Sequence, residues 1–153
     1  MTEFGYNDVQ TIQPGAGALL RTIRPCTRRP QLVMHEDESP LIYLRGAGCN
    51  PCSMADYEVK WSGNIALPAG GTPGEIRAAL SLDGLIIPLT IAIATPAAVE
   101  QFWHVSGVKT VRIPIGCCQS VAVVNASVSA DPATTPAAAI EMSNLNVTVN
   151  RTA

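Results

Sequence analysis

The clearest pattern of hydrophobic and polar positions in the chain runs from Asp56 to Leu67. Apolar side chains occupy alternate positions over most of this stretch, and polar side chains stand between them. Because successive side chains of a strand point to opposite faces of its sheet, the alternation predicts a strand with one buried and one solvated face. The apolar positions are Tyr57, Val59, Trp61, Ile65 and Leu67.

A second alternating stretch, from Glu75 to Leu82, is followed by Asp83-Gly84 and then by further apolar residues to Ile93. The Asp-Gly dipeptide tolerates the positive φ angles of a type I′ turn, so the sequence predicts a two-residue hairpin here. A turn at this position predicts four cross-strand pairs on one face of the hairpin. They are Leu82 with Leu85, Leu80 with Ile87, Ala78 with Leu89, and Ile76 with Ile91.

Shorter apolar runs between turn signals predict further strands along the rest of the chain. They cover residues 9–12, 19–24, 31–34, 41–45, 108–115, 119–125 and 140–149. A shift of phase near Ser143 in the last run indicates a β-bulge. Residues 1–8 are expected to form a tail or arm. Thr95 and Pro96 fit the N-cap and first position of a short helix that ends near Trp103.

These elements predict an all-β fold, which we interpret as a single antiparallel β-sandwich of jelly-roll type with one short helix. A length of 153 residues suits one domain with a substantial core. Within that domain, residues 1–24 are expected to form an N-terminal arm and first strand, and residues 25–153 the jelly roll. No internal repeat or linker indicates a second domain.

Charge is scarce in this chain. Only 14% of the residues are Asp, Glu, Lys or Arg, against about 25% in an average soluble protein. The net charge of −2 offers no electrostatic footprint for nucleic acid or an anionic membrane, and we expect neither as a partner. A compact monomer with so few charges would expose much uncharged surface, so we expect copies of the chain to cover part of it.

The N-terminus is mostly polar through Gln13 and contains no apolar segment of the signal-peptide kind. No run approaches the roughly 18 apolar residues of a membrane span, because Pro88 and Pro96 interrupt the most apolar stretch. We therefore expect a soluble chain that is made in the cytoplasm.

Five cysteines offer the most tempting chemistry, although an odd number cannot pair completely within the chain. Cys49 and Cys52 form a C-x-x-C pair, which can be a redox dithiol or half of a zinc site. A redox dithiol needs a βαβ context that is missing here, and Cys26, Cys117 and Cys118 do not complete a known zinc spacing. We favour a tight loop whose thiols are buried or incidentally paired.

Gly116-Cys117-Cys118 is expected to form a tight turn between two strands. A disulfide between adjacent cysteines is strained. We expect one thiol to pack inward as a small apolar group and the other to face solvent or an interface.

The acidic stretch beginning at His35 could bind a cation through its carboxylates, but the alternating spacing of a calcium loop is absent. We expect a solvated turn whose acidic residues pair with nearby arginines. The acidic residues are Glu36, Asp37 and Glu38, and the arginines are Arg21, Arg24, Arg28 and Arg29.

Two further polar features have simple interpretations. His104 has no acidic or nucleophilic neighbour in sequence and is expected to be a packed or surface histidine. Three Asn-x-Ser/Thr triplets, at Asn125, Asn146 and Asn150, are expected to be chance matches to the glycosylation signal. We therefore expect no catalytic residue, no metal, no cofactor and no enzymatic activity.

Several segments carry a resemblance to known proteins. They are Tyr57–Pro68, Gly70–Thr72, Ala79–Gly84, Thr95–Phe102, Val105–Ser106, Val111–Pro114, Gly116–Cys118 and Val121–Asn125. The set resembles tumour-necrosis-factor-like jelly rolls and, more closely, small phage and prophage-encoded proteins of gut Firmicutes. The resemblance is most specific at Thr95–Phe102 and Gly116–Cys118. It implies a homotrimeric jelly roll used as a virion structural component, without catalytic residues.

We therefore expect a phage virion structural protein, made in the host cytoplasm and located in the virion. It would be a trimeric capsid decoration protein or head-fibre component that self-associates and binds the major capsid protein or another virion protein. Residues 1–24 or the C-terminal segment are expected to make these contacts. The alternative is a receptor- or carbohydrate-binding fibre head that recognises a host-surface glycan. Its candidate aromatic residues are Trp103, Tyr43, Tyr6 and Phe102.

Overall fold

The computed structural model describes residues 1–25, 32–46, 54–129, 133 and 137–153, and these residues form a sandwich of two antiparallel sheets. In chain order the strands are β1 (Thr2–Tyr6), β2 (Gln10–Ile12), β3 (Arg21–Arg24), β4 (Val33–His35), β5 (Ile42–Arg45), β6 (Met54–Ala66), β7 (Ile76–Leu82), β8 (Leu85–Ile86), β9 (Ala92–Ala94), β10 (Trp103–Pro114), β11 (Cys118–Asn125) and β12 (Ile140–Arg151). A single turn of 3-10 helix, Pro88–Thr90, separates β8 from β9.

The two sheets have a simple order. Sheet A runs β10-β6-β12-β1-β3, with β2 also paired to β12, and sheet B runs β4-β5-β11-β7-β8, with β9 also paired to β7. From β5 onward the chain passes back and forth between the sheets, with β6, β10 and β12 in sheet A and β7, β11 in sheet B. The predicted all-β antiparallel sandwich is confirmed.

β6 and β7 provide the centre of the core and follow the predicted alternation closely. The inward side chains of both strands are buried, whereas Lys60 on the other face of β6 is exposed. The buried inward residues are Tyr57, Val59, Trp61 and Ile65 of β6, and Ile76, Ala78 and Leu80 of β7. The hydroxyl of Tyr57 also donates to the Arg45 carbonyl at 2.6 Å, which ties sheet A to sheet B.

The N-terminal residues belong to the sandwich. β1 lies between β12 and β3, and Phe4 is only 1% exposed. The predicted N-terminal tail is therefore wrong over residues 2–6, because this strand has hydrogen-bonded partners on both sides and an inward aromatic side chain.

The predicted hairpin turn is confirmed. Asp83 and Gly84 have φ angles of 48° and 82°, as a type I′ turn requires, and Leu82 pairs with Leu85. The Ile87 N–H still donates to the Leu80 carbonyl at 2.9 Å.

Beyond Ile87 the predicted register is wrong. Ala78 pairs with Ala92 and Ile76 with Ala94, rather than with Leu89 and Ile91. The reason is local, because Pro88 has no N–H with which to continue the ladder. The 3-10 turn then places Thr90 beside β7.

Thr90 provides a hydrogen-bond partner for the Leu80 N–H of β7, which the interrupted ladder does not pair. Its hydroxyl oxygen accepts a hydrogen bond from the Leu80 N–H at 2.9 Å, and the hydroxyl lies 2.8 Å from the Ile87 carbonyl to which it donates. This buried hydroxyl holds the 3-10 turn against β7, and the loop between β8 and β9 gains a fixed position.

The predicted helix after Thr95 is wrong, because residues 95–102 form a bend and a turn before β10 begins at Trp103. Glu100 has a φ of 58°, and its N–H donates to the Leu67 carbonyl at 2.8 Å rather than back along the chain. So short a helix has little stability of its own, and this contact with the end of β6 replaces it.

The predicted bulge near Ser143 is confirmed. The register between β12 and β6 shifts between Ser143 and Asn146, and Asn144 has a φ of 49°. The bulge changes the parity of β12, so that Met142 and Leu145 both face the core and both are buried.

Asn125, at the end of β11, anchors two other segments. Its side-chain amide donates to the carbonyls of Ile12 at 3.0 Å and Ala138 at 2.8 Å, and its oxygen accepts from the Ser127 N–H at 2.9 Å. The residue is 1% exposed. The asparagine of this glycosylation triplet is therefore a buried structural residue. Backbone groups of Ile12, Ala138 and Ser127 depend on it for hydrogen bonds.

We expect Asn125→Ala to lower the free energy of unfolding by about 2–4 kcal/mol, because it leaves buried backbone groups without partners. Urea denaturation followed by circular dichroism measures this. Asn150→Ala, an exposed change on β12, serves as the control and should remain within about 0.5 kcal/mol of the parent. Equal effects of the two variants would contradict the anchoring role.

Gly107 on β10 is a second sensitive position, since a Cβ there would lie 2.5 Å from Trp61 Nε1 and 3.1 Å from the Thr90 carbonyl. We expect Gly107→Ala to destabilise the fold by about 1–3 kcal/mol through overpacking. Gly63→Ala on the paired strand is the matched control, because its nearest contacts are at an ordinary 3.6 Å. Thermal unfolding should show a lower midpoint only for the Gly107 variant.

Candidate functional site

One lateral side of the sandwich, which we call the sealed side, consists of the edge strands β3 and β4. The turn at residues 36–39 covers it and binds its backbone groups. Asp37 Oδ1 accepts from the Thr22 N–H on the edge strand β3 at 2.8 Å. The Leu20 N–H donates to the Ser39 carbonyl at 3.2 Å, and the Glu38 N–H donates to the Leu20 carbonyl at 2.7 Å. An edge whose backbone groups are satisfied in this way does not attract a further strand.

The same turn confirms the predicted solvated acidic turn and one of its predicted ion pairs. Arg21 and Glu38 lie 2.7 Å apart, and both side chains are mostly exposed. Arg28 and Arg29 lie outside the described residues. The ring nitrogens of His35 lie 2.9 Å and 3.1 Å from the carbonyl oxygens of Leu41 and Leu20. His35 therefore links Leu41, after the turn, to Leu20, which directly precedes β3.

The opposite lateral side, which we call the apolar side, has a different character. It comprises Leu85, Ile86, Leu89 and Ile93, which lie on β8, the 3-10 turn and β9 beside the edge strand β10. Leu85 is 76% exposed and Leu89 is 83% exposed. No Asp, Glu, Lys or Arg occurs from Gly84 to Val99. Clustered exposed apolar side chains of this kind mark interaction surfaces.

A groove of about 580 Å³ lies on the outer face of sheet A, the face directed away from sheet B. Strand register sets its lining, because Ser106 of β10 pairs with Ser62 of β6, which pairs with Asn146 of β12. The next row consists of Val108, Lys60 and Thr148. Leu89, Gly107 and Trp61 complete the lining at the end that borders the apolar side.

Hydrogen bonds and charge give the groove a nearly neutral character. Lys60 Nζ lies 3.0 Å from Glu58 Oε1, so its charge is balanced by a neighbour on the same strand. Asn146 Nδ2 donates to Glu3 Oε1 at 2.7 Å, which fixes the amide at the far edge of the groove. Ser62, Ser106 and Thr148 add three hydroxyl groups to the lining.

The four aromatic residues predicted for a glycan site do not share one face. Tyr43 lies on β5 in sheet B, whereas Trp103 begins β10 in sheet A and Phe102 directly precedes it. Tyr6 on β1 carries the Arg21 guanidinium over its ring, 5.3 Å from the centroid. Only Phe102 and Trp103 are adjacent, and both are partly exposed.

Of the five cysteines, Cys117 and Cys118 are described, and both are free and exposed. The predicted turn is confirmed, with Gly116 at φ 78° and the Cys117 N–H donating to the Pro114 carbonyl at 3.1 Å. The expectation that one thiol packs inward is wrong, since Cys117 in the turn and Cys118 at the start of β11 are both exposed. Cys26, Cys49 and Cys52 lie outside the described residues.

The remaining candidates for chemistry are dispersed. His104 is exposed, with Nδ1 3.2 Å from Asn64 Oδ1, as expected for a surface histidine. Within the described ranges, no three His, Cys, Asp or Glu residues are grouped so that they could hold a metal ion. Among the described residues, the groove and the apolar side both have a defined shape and chemistry.

No protein-family model matches the chain, and a search of curated proteins found no match. In the part of the chain that the structure describes, no helix has the length and apolar character needed to cross a membrane.

The hydrogen bond between Asp37 and β3 predicts how the stability of the fold depends on pH. Donation from the Thr22 N–H holds the pKa of Asp37 below its ordinary value of 3.8. A carboxyl group whose pKa is lowered by folding stabilises the fold above its unfolded pKa, and this contribution is lost as pH falls through the folded pKa. We expect Asp37→Asn to lower the urea midpoint at neutral pH, and the difference from the parent should shrink as the pH falls below 3.8.

Urea titrations at several pH values between neutral and strongly acidic conditions measure this difference. Asp8→Asn removes another exposed carboxylate and is the control. A gap between Asp37→Asn and the parent that stays constant with pH would contradict the assigned cause.

Proposed function

We propose that this chain is a structural component of a phage virion, a capsid decoration protein or head-fibre component, that self-associates as a homotrimer. The observation that carries self-association is the apolar side, where Leu85 and Leu89 are almost fully exposed on a segment without charge. Exposed apolar surface favours association, since its removal from water contributes about 25 cal/mol per Å².

The asymmetry between the two lateral sides supports this surface as the interface. The sealed side satisfies its edge through Asp37 and the Arg21–Glu38 ion pair. The apolar side presents four aliphatic side chains to solvent beside the edge strand β10. A protein that remained monomeric would gain from charges in such a segment, and none occur from Gly84 to Val99.

A cyclic trimer joins two different surfaces at each interface. The apolar side would supply one of them. A second partly exposed apolar pair, the cross-strand neighbours Met34 and Tyr43 on sheet B, offers a candidate for the other. Residues 84–99, which contain the apolar side, include no charged residue, so burying them on assembly would leave no unpaired ion there.

The virion location and the contact with the major capsid protein have a different support. They rest on the sequence resemblance at Thr95–Phe102 and Gly116–Cys118. In this proposal the chain acts through its surfaces and carries out no chemical reaction. Mass spectrometry of purified particles of the phage that encodes the chain should find it there in stoichiometric amounts, and its absence would overturn the virion assignment.

We expect Leu89→Asp and Leu85→Asp each to convert the trimer to monomer, because a carboxylate would be buried at the interface without a partner. Analytical ultracentrifugation at micromolar concentration measures the mass, and circular dichroism checks that the fold is kept. Val9→Asp is the matched control, since Val9 is 56% exposed and lies outside the apolar side. A monomeric parent, or a Leu89 variant that remains trimeric, would overturn the proposed interface.

A further inference from the structure

We propose that the groove on the outer face of sheet A binds a neutral saccharide. The inference goes beyond the proposed structural role, because a subunit that only self-associates has no need of a polar groove on a separate face. The groove is open to solvent and has a volume of about 580 Å³, which is enough for a small oligosaccharide segment.

The first argument is the array of polar groups that strand register produces. Ser106, Ser62 and Asn146 form one row across β10, β6 and β12. Paired residues on neighbouring strands have Cβ atoms about 5 Å apart, so the row offers hydrogen-bonding groups at regular intervals across the sheet. Thr148 lies beside this row and adds a further hydroxyl.

The second argument is the chemistry of those groups. A hydroxyl both donates and accepts hydrogen bonds, and a carboxamide offers one group of each kind. Saccharide hydroxyls have the same dual capacity. Three hydroxyls and one amide within a single groove therefore match a polyhydroxylated ligand better than a purely anionic or purely apolar one.

The third argument is the apolar border. Leu89 and Val108 form one margin of the groove and are both exposed. The C–H face of a sugar ring is apolar and packs on such side chains while its hydroxyls reach the polar row.

Charge decides between neutral and anionic sugars. Lys60 is the cation in the groove, and Glu58 lies 3.0 Å from its ammonium group. Glu3 accepts from Asn146 at the opposite end. A carboxylated or sulfated sugar would meet a cation already paired and a second carboxylate nearby, so the site favours an uncharged ligand.

The test uses the isotopically labelled full chain and a set of neutral trisaccharides of glucose, mannose and N-acetylglucosamine at millimolar concentration. Amide chemical-shift changes map any contact onto the structure. We expect at least one trisaccharide to shift the amides of Ser62, Ser106, Asn146 and Thr148. Trisaccharides that end in a uronic acid should bind more weakly than their neutral counterparts.

Two variants on β10 distinguish binding in the groove from binding elsewhere on the sheet. Ser106 and Thr110 are both exposed and point outward on β10, but only Ser106 lines the groove. Ser106→Phe should abolish the shifts, and Thr110→Phe should leave them unchanged. Ser106→Ala, which removes one hydroxyl without filling the groove, should weaken binding by about threefold to tenfold.

Each outcome decides the proposal. It is overturned if no trisaccharide shifts the groove amides, if the shifts cluster at Phe102 and Trp103 instead, or if both phenylalanine variants lose binding equally. Sedimentation of the Ser106 variants distinguishes this result from a failure of self-association. A trimer that binds no saccharide would refute only the proposal of saccharide binding in the groove. A monomer that binds a saccharide would refute only the proposal of trimeric self-association.

Discussion

The rest of the structure depends on the position of β6, which lies between β10 and β12 in sheet A and supplies the centre of the inner face. Its inward residues Tyr57, Val59 and Trp61 are all buried. Trp61 is the largest of them, and its indole fits only because β10 carries a glycine, Gly107, at the paired position. The strict period of two that buries this face also fixes which side chains of β6 face outward.

The same constraint shapes the outer surface. Since Ser62 and Lys60 must point outward when Trp61 points inward, the groove is a consequence of the core pattern of β6. Its other walls come from β10 and β12, which share that register. The bulge at Ser143 corrects the parity of β12 so that Asn146 and Thr148 stay on the outer face while Met142 remains in the core.

Closure of the two lateral sides follows different physical rules. At β3 a carboxylate and backbone carbonyls satisfy the exposed edge, and an ion pair adds to the contact. At β10 the neighbouring 3-10 turn is held by the Thr90 hydroxyl, and this arrangement turns Leu89 outward. The hydrogen bonds on the sealed side are all made within one chain. The exposed aliphatic side chains of the apolar side are stabilised only when another surface removes them from water.

The sequence predicted those features that local pattern determines. The alternation of β6, the Asp83-Gly84 turn and the bulge at Ser143 each depend on a few neighbouring residues, and all are confirmed. The helix expected after Thr95 was missed because of a distant contact, since the Leu67 carbonyl accepts from the Glu100 N–H. The register beyond Ile87 was missed for a local reason, because Pro88 cannot continue the ladder. The contact of Thr90 with β7 then fixes the turn.

The sequence predicted little of the apolar side and nothing of the groove, because both surfaces depend on contacts between segments that are distant in the chain. Low charge predicts that some surface is covered, but it does not locate the apolar side. That side depends on the 3-10 turn at Pro88–Thr90, where the sequence pattern predicts a strand. The groove gave no signal in sequence at all. Its row of Ser62, Ser106 and Asn146 is assembled from three strands far apart in the chain, so only register brings it together.

Leu89 belongs to both the apolar side and the groove, and this shared residue raises the question of whether assembly would block a ligand. Adjacent strands lie about 4.8 Å apart, so Ser62 and Asn146 stand roughly 5 Å and 10 Å from β10 across sheet A. A copy packed on the apolar side would cover Leu89 at the groove margin and leave the polar row on the open face. The covering subunit would then extend the apolar margin of the groove, and self-association and saccharide binding are geometrically compatible.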